Sequence, residues 1–250
     1  MRLKFPNYII IAFFLLFVSC ISKPKLDIKA KHYEAKLSFY DSSIQQQILP
    51  YQLKIQDSMN QQIAELEDQL IKETPEGNLG NFVCDALFKK HVDYLAEDLQ
   101  KADFVLLNNG GLRTNVPAGT LTIGKLFELM PFDNELVIVT LNSSSMAQLL
   151  DFIAKKGGMP VSQLNLKIQN NSVTDVSVGN VQLDKQKNYK VLTSDYLVNG
   201  GDNMLFFKNS VHKLYLKKLI RTALIEYCID ETKKGNKIAS KKDGRIQLSK

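Results

Sequence analysis

The chain has 250 residues, a formal net charge of +6 and 23% charged side chains, a globular composition that allows one substantial domain or two small ones. Much of the basic excess lies near the C-terminus, at Lys233, Lys234, Lys237, Lys241 and Lys242. These lysines have no interleaved aromatic residues, which argues against a single-stranded nucleic-acid groove, so no nucleic-acid partner is expected.

The N-terminus has the layout of a secretory signal peptide. Arg2 and Lys4 precede a short apolar run, about half as long as the ~20 residues that a membrane-spanning helix requires. The run ends at Cys20 in a segment that resembles a bacterial lipobox. We therefore expect export to the bacterial cell envelope, removal of residues 1–19, and a lipidated tether at residues 20–29 that anchors the protein to the membrane. The alternative is an ordinary signal peptide with an incidental cysteine.

Hydrophobic periodicity and turn residues predict a mixture of helices and strands along the rest of the chain. Helices are predicted at 42–63 (with a break or kink at Pro50), 81–99, 122–130, 142–156 and 211–231. Strands are predicted at 102–107, 135–141, 164–181 (around a turn at 170–171), 189–198 and 244–248. Because these elements do not alternate as a strict βα repeat, the pattern favours an α+β fold over a doubly wound parallel sheet.

The cysteines and histidines do not form a recognisable reactive pattern. Cys84 and Cys228 lie in apolar helical patterns and are interpreted as small buried hydrophobic residues. An exported protein could form a disulfide between them, but spacing alone does not show one. His91 and His212 are expected at the surface or at helix ends rather than as metal ligands.

Two predicted loops share the sequence Asn-Gly-Gly, at 109–111 and 199–201. A glycine pair permits positive φ and close approach of a ligand to the main chain, although this sequence can also be simple turn chemistry. The first loop is followed by Arg113 and the second by Asp202. Each loop therefore supplies one charged group to a candidate binding site.

A series of segments resembles, in order, the C-terminal domain of 5'-nucleotidases. They are N-x-G-N at 78–81 with Asp-Ala at 85–86, NGG-[IL]-R at 109–113, PF-x-N at 131–134, F-x-x-x-GGD at 196–202 with Tyr in place of Phe, and GRI at 244–246. The order and spacing agree from about residue 30 to the end, so residues 30–250 are expected to form this domain. The resemblance implies an α+β fold of four layers, α/β/β/α, with mixed sheets.

The same resemblance implies a ligand and the residues that hold it. In that family a base lies between two aromatic rings, while an arginine and an aspartate hold the phosphate and ribose. Stacking contributes about 1–3 kcal/mol per base, and a guanidinium matches phosphate oxygens or ribose hydroxyls. The residues expected to bind substrate here are Asn108, Gly110, Gly111, Arg113, Phe132, Tyr196, Gly200, Gly201 and Asp202.

Two departures from the family pattern qualify the expected activity. The family often has another arginine before N-x-G-N, where this chain has Glu73 and Glu76; these acids favour a nucleoside-like ligand over a phosphate. The metallophosphoesterase motifs D-x-H, GNH-[DE] and H-x-H are not found among these residues, and hydrolysis in the family depends on the two metals they hold. No catalytic residue, metal ligand or cofactor is therefore expected in this chain.

The leading hypothesis is the substrate-binding half of a split nucleotide phosphohydrolase. A separate exported metallophosphoesterase chain would be the partner and would supply divalent metals. One alternative is a lipoprotein that captures nucleosides or nucleotides by itself. Another is an envelope protein that keeps the fold without a ligand.

Overall fold

The computed structural model describes residues 42–97 and 100–249. The predicted signal peptide, Cys20 and the tether lie outside these residues. Contacts between Cα atoms divide the chain into residues 1–45 and 46–250, and the first unit is described only over the first turn of helix α1. Within the described ranges, every helix is too short or too polar to cross a bilayer.

The regular elements mix helices and strands. The helices are α1 (Ser42–Asn60), α2 (Asn78–Lys90), α3 (Ile123–Leu129), α4 (Ser143–Lys155), α5 (Asp195–Val198) and α6 (Ile220–Lys233). The strands are β1 (Gln62–Leu66), β2 (Phe104–Leu106), β3 (Gly119–Thr122), β4 (Glu135–Leu141), β5 (Val161–Ser162), β6 (Leu164–Gln169), β7 (Ser172–Val178), β8 (Val181–Gln182), β9 (Tyr189–Ser194), β10 (His212–Leu219) and β11 (Ile246–Ser249). Short 3-10 helices lie at His91–Tyr94, Asn109–Gly111, Gly201–Asn203 and Leu205–Asn209.

Two mixed sheets organise the fold. The larger has the order β10-β4-β9-β2-β5, in which β2 and β9 are parallel and the other neighbours are antiparallel. The smaller has the order β11-β6-β7-β8, in which β11 and β6 are parallel. A separate two-stranded antiparallel ribbon joins β1 and β3. The predicted α+β fold with two mixed sheets is confirmed.

The larger sheet is buried on both faces, between two apolar cores. Strand β4 shows this directly, because Leu136 and Ile138 enter the first core whereas Val137 and Val139 enter the second, as the alternation of side chains along a strand requires. Helices α2 and α6 contribute to the first core. Helix α4 and the smaller sheet contribute to the second. The loops at the ends of this sheet therefore extend from strands that are packed on both faces.

The predicted helix at 211–231 is wrong in its first half. Residues His212–Leu219 form β10, paired antiparallel with β4, and the helix begins at Ile220. Leu214 and Leu216 pack against the first core. Their spacing of two residues is that of a strand, and the pairing with β4 decides between strand and helix.

Other boundaries also differ from the sequence-based predictions. Helix α1 continues through Pro50, where a break was expected. Helix α2 begins at Asn78 and ends at Lys90, not at 81 and 99, and a 3-10 turn follows it. Strand β9 ends at Ser194, whose hydroxyl caps α5 by accepting from the Leu197 amide at 3.2 Å. Tyr196 therefore lies on a short helix rather than at a strand end.

Candidate functional site

Three segments far apart in the sequence meet at one edge of the larger sheet. Strands β2 and β9 are parallel neighbours, so the loops that follow them leave from the same edge. Strand β4 is antiparallel to β9, and its residue Leu136 lies opposite Ser194, the last residue of β9. The turn that precedes β4 is therefore brought to the same edge. This topology brings both Asn-Gly-Gly loops and the turn that contains Phe132 together at one edge of the larger sheet.

A cavity of about 260 Å³ opens where these segments meet. It is lined by Asn108, Gly110, Gly111, Arg113, Phe132, Asn134, Tyr196 and Asp202. Every predicted side chain of the site is thus at one cavity, and so are the glycines of the first loop. The remaining predicted residues, Gly200 and Gly201, do not line the cavity and instead shape the second loop.

The two aromatic residues of the cavity are both exposed. Phe132 is 51% exposed and Tyr196 is 45% exposed, although both line a cavity. A Cβ on Gly201 would lie 2.4–2.6 Å from the Cδ1, Cε1 and Cζ atoms of Tyr196. These nearly equal distances place Gly201 against a face of the tyrosine ring, so only glycine leaves room for the ring in this position. Gly200 has φ of +94°, which glycine adopts without steric cost.

Asp202 is the centre of a hydrogen-bond network at the cavity. Asn108 Nδ2 donates to Asp202 Oδ2 at 2.6 Å, and the Tyr196 hydroxyl donates to Asp202 Oδ1 at 2.8 Å. The hydrogen bond to Asp202 raises the pKa of the Tyr196 phenol above its usual value. Asp202 itself has φ of +51°, a left-handed conformation that aspartate tolerates better than most residues. Both carboxylate oxygens are therefore held in fixed directions.

Arg113 lies on the opposite loop from Asp202 and near Phe132. Its Cζ atom is 6.0 Å from the centroid of the Phe132 ring, within the range of a cation–π contact. Its Nη1 donates to Gly110 O at 3.3 Å. Because a guanidinium carries five N–H donors, this bond leaves capacity to hold an anionic or hydroxyl-bearing ligand.

Two residues, one at this cavity and one behind it, were not predicted from the sequence. Asn134 lines the cavity, and its signal in the sequence is the last position of the PF-x-N turn. Arg221, near the start of α6, donates to Phe132 O at 3.2 Å. No sequence signal marks this arginine, because its contacts reach some ninety positions back along the chain.

The acids Glu73 and Glu76 do not line the cavity. Glu76 is buried, and its Oε1 accepts from Asn81 Nδ2 and from the Asp243 amide, both at 2.7 Å. Glu73 pairs with Lys242 at 2.6 Å. Both acids thus tie the C-terminal segment to the fold, which gives them a structural role that the sequence did not indicate.

The buried cysteines and His91 also have structural environments. Cys84 and Cys228 are free and buried, as predicted, and burial raises the pKa of the Cys228 thiol to about 12. His91 lies at the C-terminal end of α2, one of the two positions expected for it, and it is buried there. Among the described residues, no group of three His, Cys, Asp or Glu side chains is placed to hold a metal ion.

Comparison with known proteins identifies the domain to which these residues belong. The family model of the 5'-nucleotidase C-terminal domain matches residues 60–209. A 5'-nucleotidase of Vibrio parahaemolyticus is 28% identical over 166 residues, which cover 61% of this chain and 28% of that protein. The trifunctional nucleotide phosphoesterase protein of Bacillus subtilis is 28% identical over 194 residues, which cover 70% of this chain and 12% of that protein.

Solved structures show the same fold. The crystal structure of a 5'-nucleotidase precursor from Thermus thermophilus superimposes with a TM-score of 0.68 at 25% identity, covering 83% of this chain and 43% of that one. The NAD nucleotidase of Haemophilus influenzae superimposes with a TM-score of 0.61 at 15% identity, covering 84% and 42%, and this likeness shows the fold alone. The chain spans less than a third of the two relatives matched by sequence and less than half of these two structures.

Proposed function

Since the chain belongs to the 5'-nucleotidase C-terminal domain family, we propose that it binds a nucleoside or nucleotide in the cavity between its two Asn-Gly-Gly loops. The base stacks between Phe132 and Tyr196, the ribose hydroxyls donate to Asp202, and Arg113 contacts the ribose or phosphate. Asn108 orients the Asp202 carboxylate. The glycines of both loops, Gly110, Gly111, Gly200 and Gly201, leave room for the ligand and for the tyrosine ring.

The observation that carries this proposal is the position of the two aromatic residues. Phe132 and Tyr196 come from separate segments, yet both line one cavity and both keep about half of their surface exposed. Large aromatic side chains are normally buried or paired, and at this cavity an arginine and an aspartate accompany them. This combination of aromatic rings, a carboxylate and a guanidinium suits a flat, partly polar ligand.

We further propose that the chain is the substrate-binding half of a split nucleotide phosphohydrolase that acts in nucleotide catabolism. The relatives that it matches are named as nucleotidases and a nucleotide phosphoesterase. Phosphoester hydrolysis in such enzymes draws on metal ions that polarise the phosphoryl group and activate water, whereas this sequence contains three histidines, none in a metal-binding motif. A separate metallophosphoesterase chain would supply the metals and dock over the cavity. In this proposal both chains act in the cell envelope and this one is anchored by lipid at Cys20, and the signal-like N-terminus supports export of this chain.

Calorimetric titration of the purified chain with adenosine and with adenosine monophosphate tests the binding site. Phe132→Ala and Tyr196→Ala should each weaken binding by about 1–3 kcal/mol, the contribution of stacking to a base. Tyr215→Ala is the matched control, because Tyr215 is 44% exposed on β10 and does not line the cavity. Unchanged affinity in both cavity variants, or no binding of either ligand by the wild-type protein, would remove the site from the proposal.

Reconstitution tests the split enzyme. The neighbouring reading frames are first searched for an exported chain with a GNH-[DE] motif. That candidate is then assayed with divalent metal on nucleotide substrates in the presence and absence of this chain. The proposal requires that this chain lower the KM of the mixture and that Phe132→Ala reverse the effect. Tight nucleoside binding by this chain alone, with no change in the partner's kinetics, would instead assign it to nucleoside capture.

A further inference from the structure

Arg221 is a buried cation whose side chain, among the described residues, hydrogen-bonds to the turn that carries Phe132. It is 6% exposed. Its Nη1 donates to Met130 O at 2.8 Å and to Phe132 O at 3.2 Å, and its Nη2 donates to the carboxylate of Asp133. A buried charge is costly unless it is paired and hydrogen-bonded. The turn supplies the compensation, so the arginine and the turn depend on each other.

The start of α6 holds the turn at more than one point. The Ile220 amide, one residue before Arg221, donates to Asn134 O at 2.9 Å. The Cζ atom of Arg221 also lies 3.8 Å from the centroid of the Phe127 ring on α3. Residues 130–134, which form neither helix nor strand, are thus fixed between the end of α3 and the start of α6.

Phe132 needs such an external support. Phe132 is 51% exposed and belongs to neither apolar core. A ring that is to stack on a base must nevertheless be held in position before the ligand arrives, because ordering it on binding would cost conformational entropy. The backbone carbonyl of Phe132 is a partly buried point of support for the residue, and Arg221 donates to that carbonyl.

We propose that Arg221 is a positioning residue for ligand binding: it fixes the 130–134 turn so that Phe132 is presented to the cavity in its stacking position. The proposal rests on the proposed function above, since it assumes that Phe132 stacks on a base. It goes beyond that function because Arg221 does not line the cavity and acts only through another residue.

A double-mutant cycle tests this coupling. Adenosine affinity is measured by calorimetry for the wild type, Phe132→Ala, Arg221→Met and the double variant. Arg221→Met should weaken binding about five- to tenfold, which lies within the contribution of one stacking ring. It should have almost no further effect in the Phe132→Ala background, because the ring through which it acts is already absent. An equal loss in both backgrounds, or no loss in the wild-type background, would overturn the proposal.

Conservative variants separate positioning from general stability. Arg221→Lys keeps a cation that can donate to the two carbonyls and should restore most of the affinity, and Asp133→Asn keeps both carbonyl bonds and should bind nearly as the wild type does. Thermal unfolding of each variant is recorded beside its affinity. If affinity follows unfolding temperature across the set rather than the presence of a carbonyl donor, Arg221 serves stability alone and the proposal is wrong.

A fluorescent reporter makes the test independent of ligand. The chain contains no tryptophan, so Phe132→Trp places a single indole on the turn. Its fluorescence anisotropy should fall when Arg221→Met is added and recover with Arg221→Lys. If the wild type binds no nucleoside but the anisotropy falls, the proposed function fails while the positioning role stands. Unchanged anisotropy overturns the positioning role whatever the ligand result.

Discussion

Tyr196 and Asp202 hold each other in place across the second Asn-Gly-Gly loop. The tyrosine hydroxyl donates to Asp202 Oδ1 at 2.8 Å, and the Asp202 amide donates to the same hydroxyl at 3.3 Å. One residue of the proposed stack is thereby joined to the residue proposed to hold the ribose. In the proposed binding mode, the tyrosine at this position would therefore affect recognition of the sugar as well as of the base.

Tyr196→Phe separates these two contributions, because it keeps the ring and removes the hydroxyl. Asp202 would then be oriented by Asn108 alone, so adenosine should bind about three- to tenfold more weakly, as expected for the loss of one hydrogen bond. Free adenine makes no ribose contact and should keep its affinity. Calorimetry with both ligands measures the difference. Equal weakening for adenine and adenosine would show that the hydroxyl acts on the ring rather than on the carboxylate.

Gly201→Ala should displace the Tyr196 ring with little effect on the fold. The new Cβ would lie 2.4 Å from Tyr196 Cε1, and a half-exposed side chain can move away from it. The binding free energy of adenosine should weaken by at most the contribution of one stacking ring, about 1–3 kcal/mol. The thermal unfolding temperature should change little.

Gly179→Ala is the control for that variant. Gly179 has φ of +56° with no atom within 4 Å of the added Cβ, so alanine strains the backbone at a turn outside the cavity. It should lower stability and leave adenosine affinity unchanged. If Gly201→Ala binds adenosine as tightly as the wild type, the ring is not held where the structure places it.

The residues that line the candidate site could be named from the sequence because they lie in short motifs that resemble those of the family. Glycine pairs, a proline-containing turn and the charged residues beside them can be read within a few positions, and the topology then brings these segments to one edge. Strand β4 was likewise predicted with its observed bounds, since its apolar run is bounded by turn residues on both sides.

What could not be predicted depends on contacts between distant residues. Residues His212–Leu219 carry a pattern that fits a helix or a strand, and pairing with β4 decides it. Arg221 resembles any other cation on an amphipathic helix until its partners at Met130 and Phe132 are known. Glu76 likewise gains its role from the amides of Asp243 and Gly244, more than 160 positions away along the chain.

Glu76→Gln should destabilise the fold. The Glu76 carboxylate accepts from the Asp243 and Gly244 amides at 2.7 and 3.0 Å. The side-chain NH2 group of glutamine would face one of these two backbone N–H groups. That N–H would then have no acceptor. The free energy of unfolding, measured by urea denaturation, should fall by about 2 kcal/mol, as for loss of a hydrogen bond to a charged group.

Glu73→Gln is the matched control for that substitution. Glu73 pairs with Lys242, and both side chains are well exposed, so losing the pair should cost less than about 1 kcal/mol. Neither acid lines the cavity, and both folded variants should bind adenosine as the wild type does. A loss of stability as large in Glu73→Gln as in Glu76→Gln would contradict the structural role assigned to the buried acid.

His91 should make the stability of the fold depend on pH in mildly acidic solution. Burial lowers the pKa of its imidazole below the usual 6.5. Its Nε2 accepts from the Ala102 amide at 3.1 Å, and its Nδ1 lies 2.6 Å from Phe88 O. The neutral ring with its proton on Nδ1 satisfies both contacts, whereas protonation of Nε2 would break the first.

The sign of the pH effect follows from where the proton binds. Below about pH 6.5 the unfolded chain protonates this histidine while the folded protein resists it, so the free energy of unfolding falls as the pH is lowered from 6.5 through the pKa of the folded state. Urea unfolding at pH 7.5 and at pH 5.0 measures the loss. His91→Gln retains an acceptor for the Ala102 amide without titrating, so its stability should fall less than that of the wild type over this interval. His212→Gln, which removes an exposed histidine, is the control and should follow the wild type. The same loss in all three proteins would assign the acid sensitivity to carboxylates instead of His91.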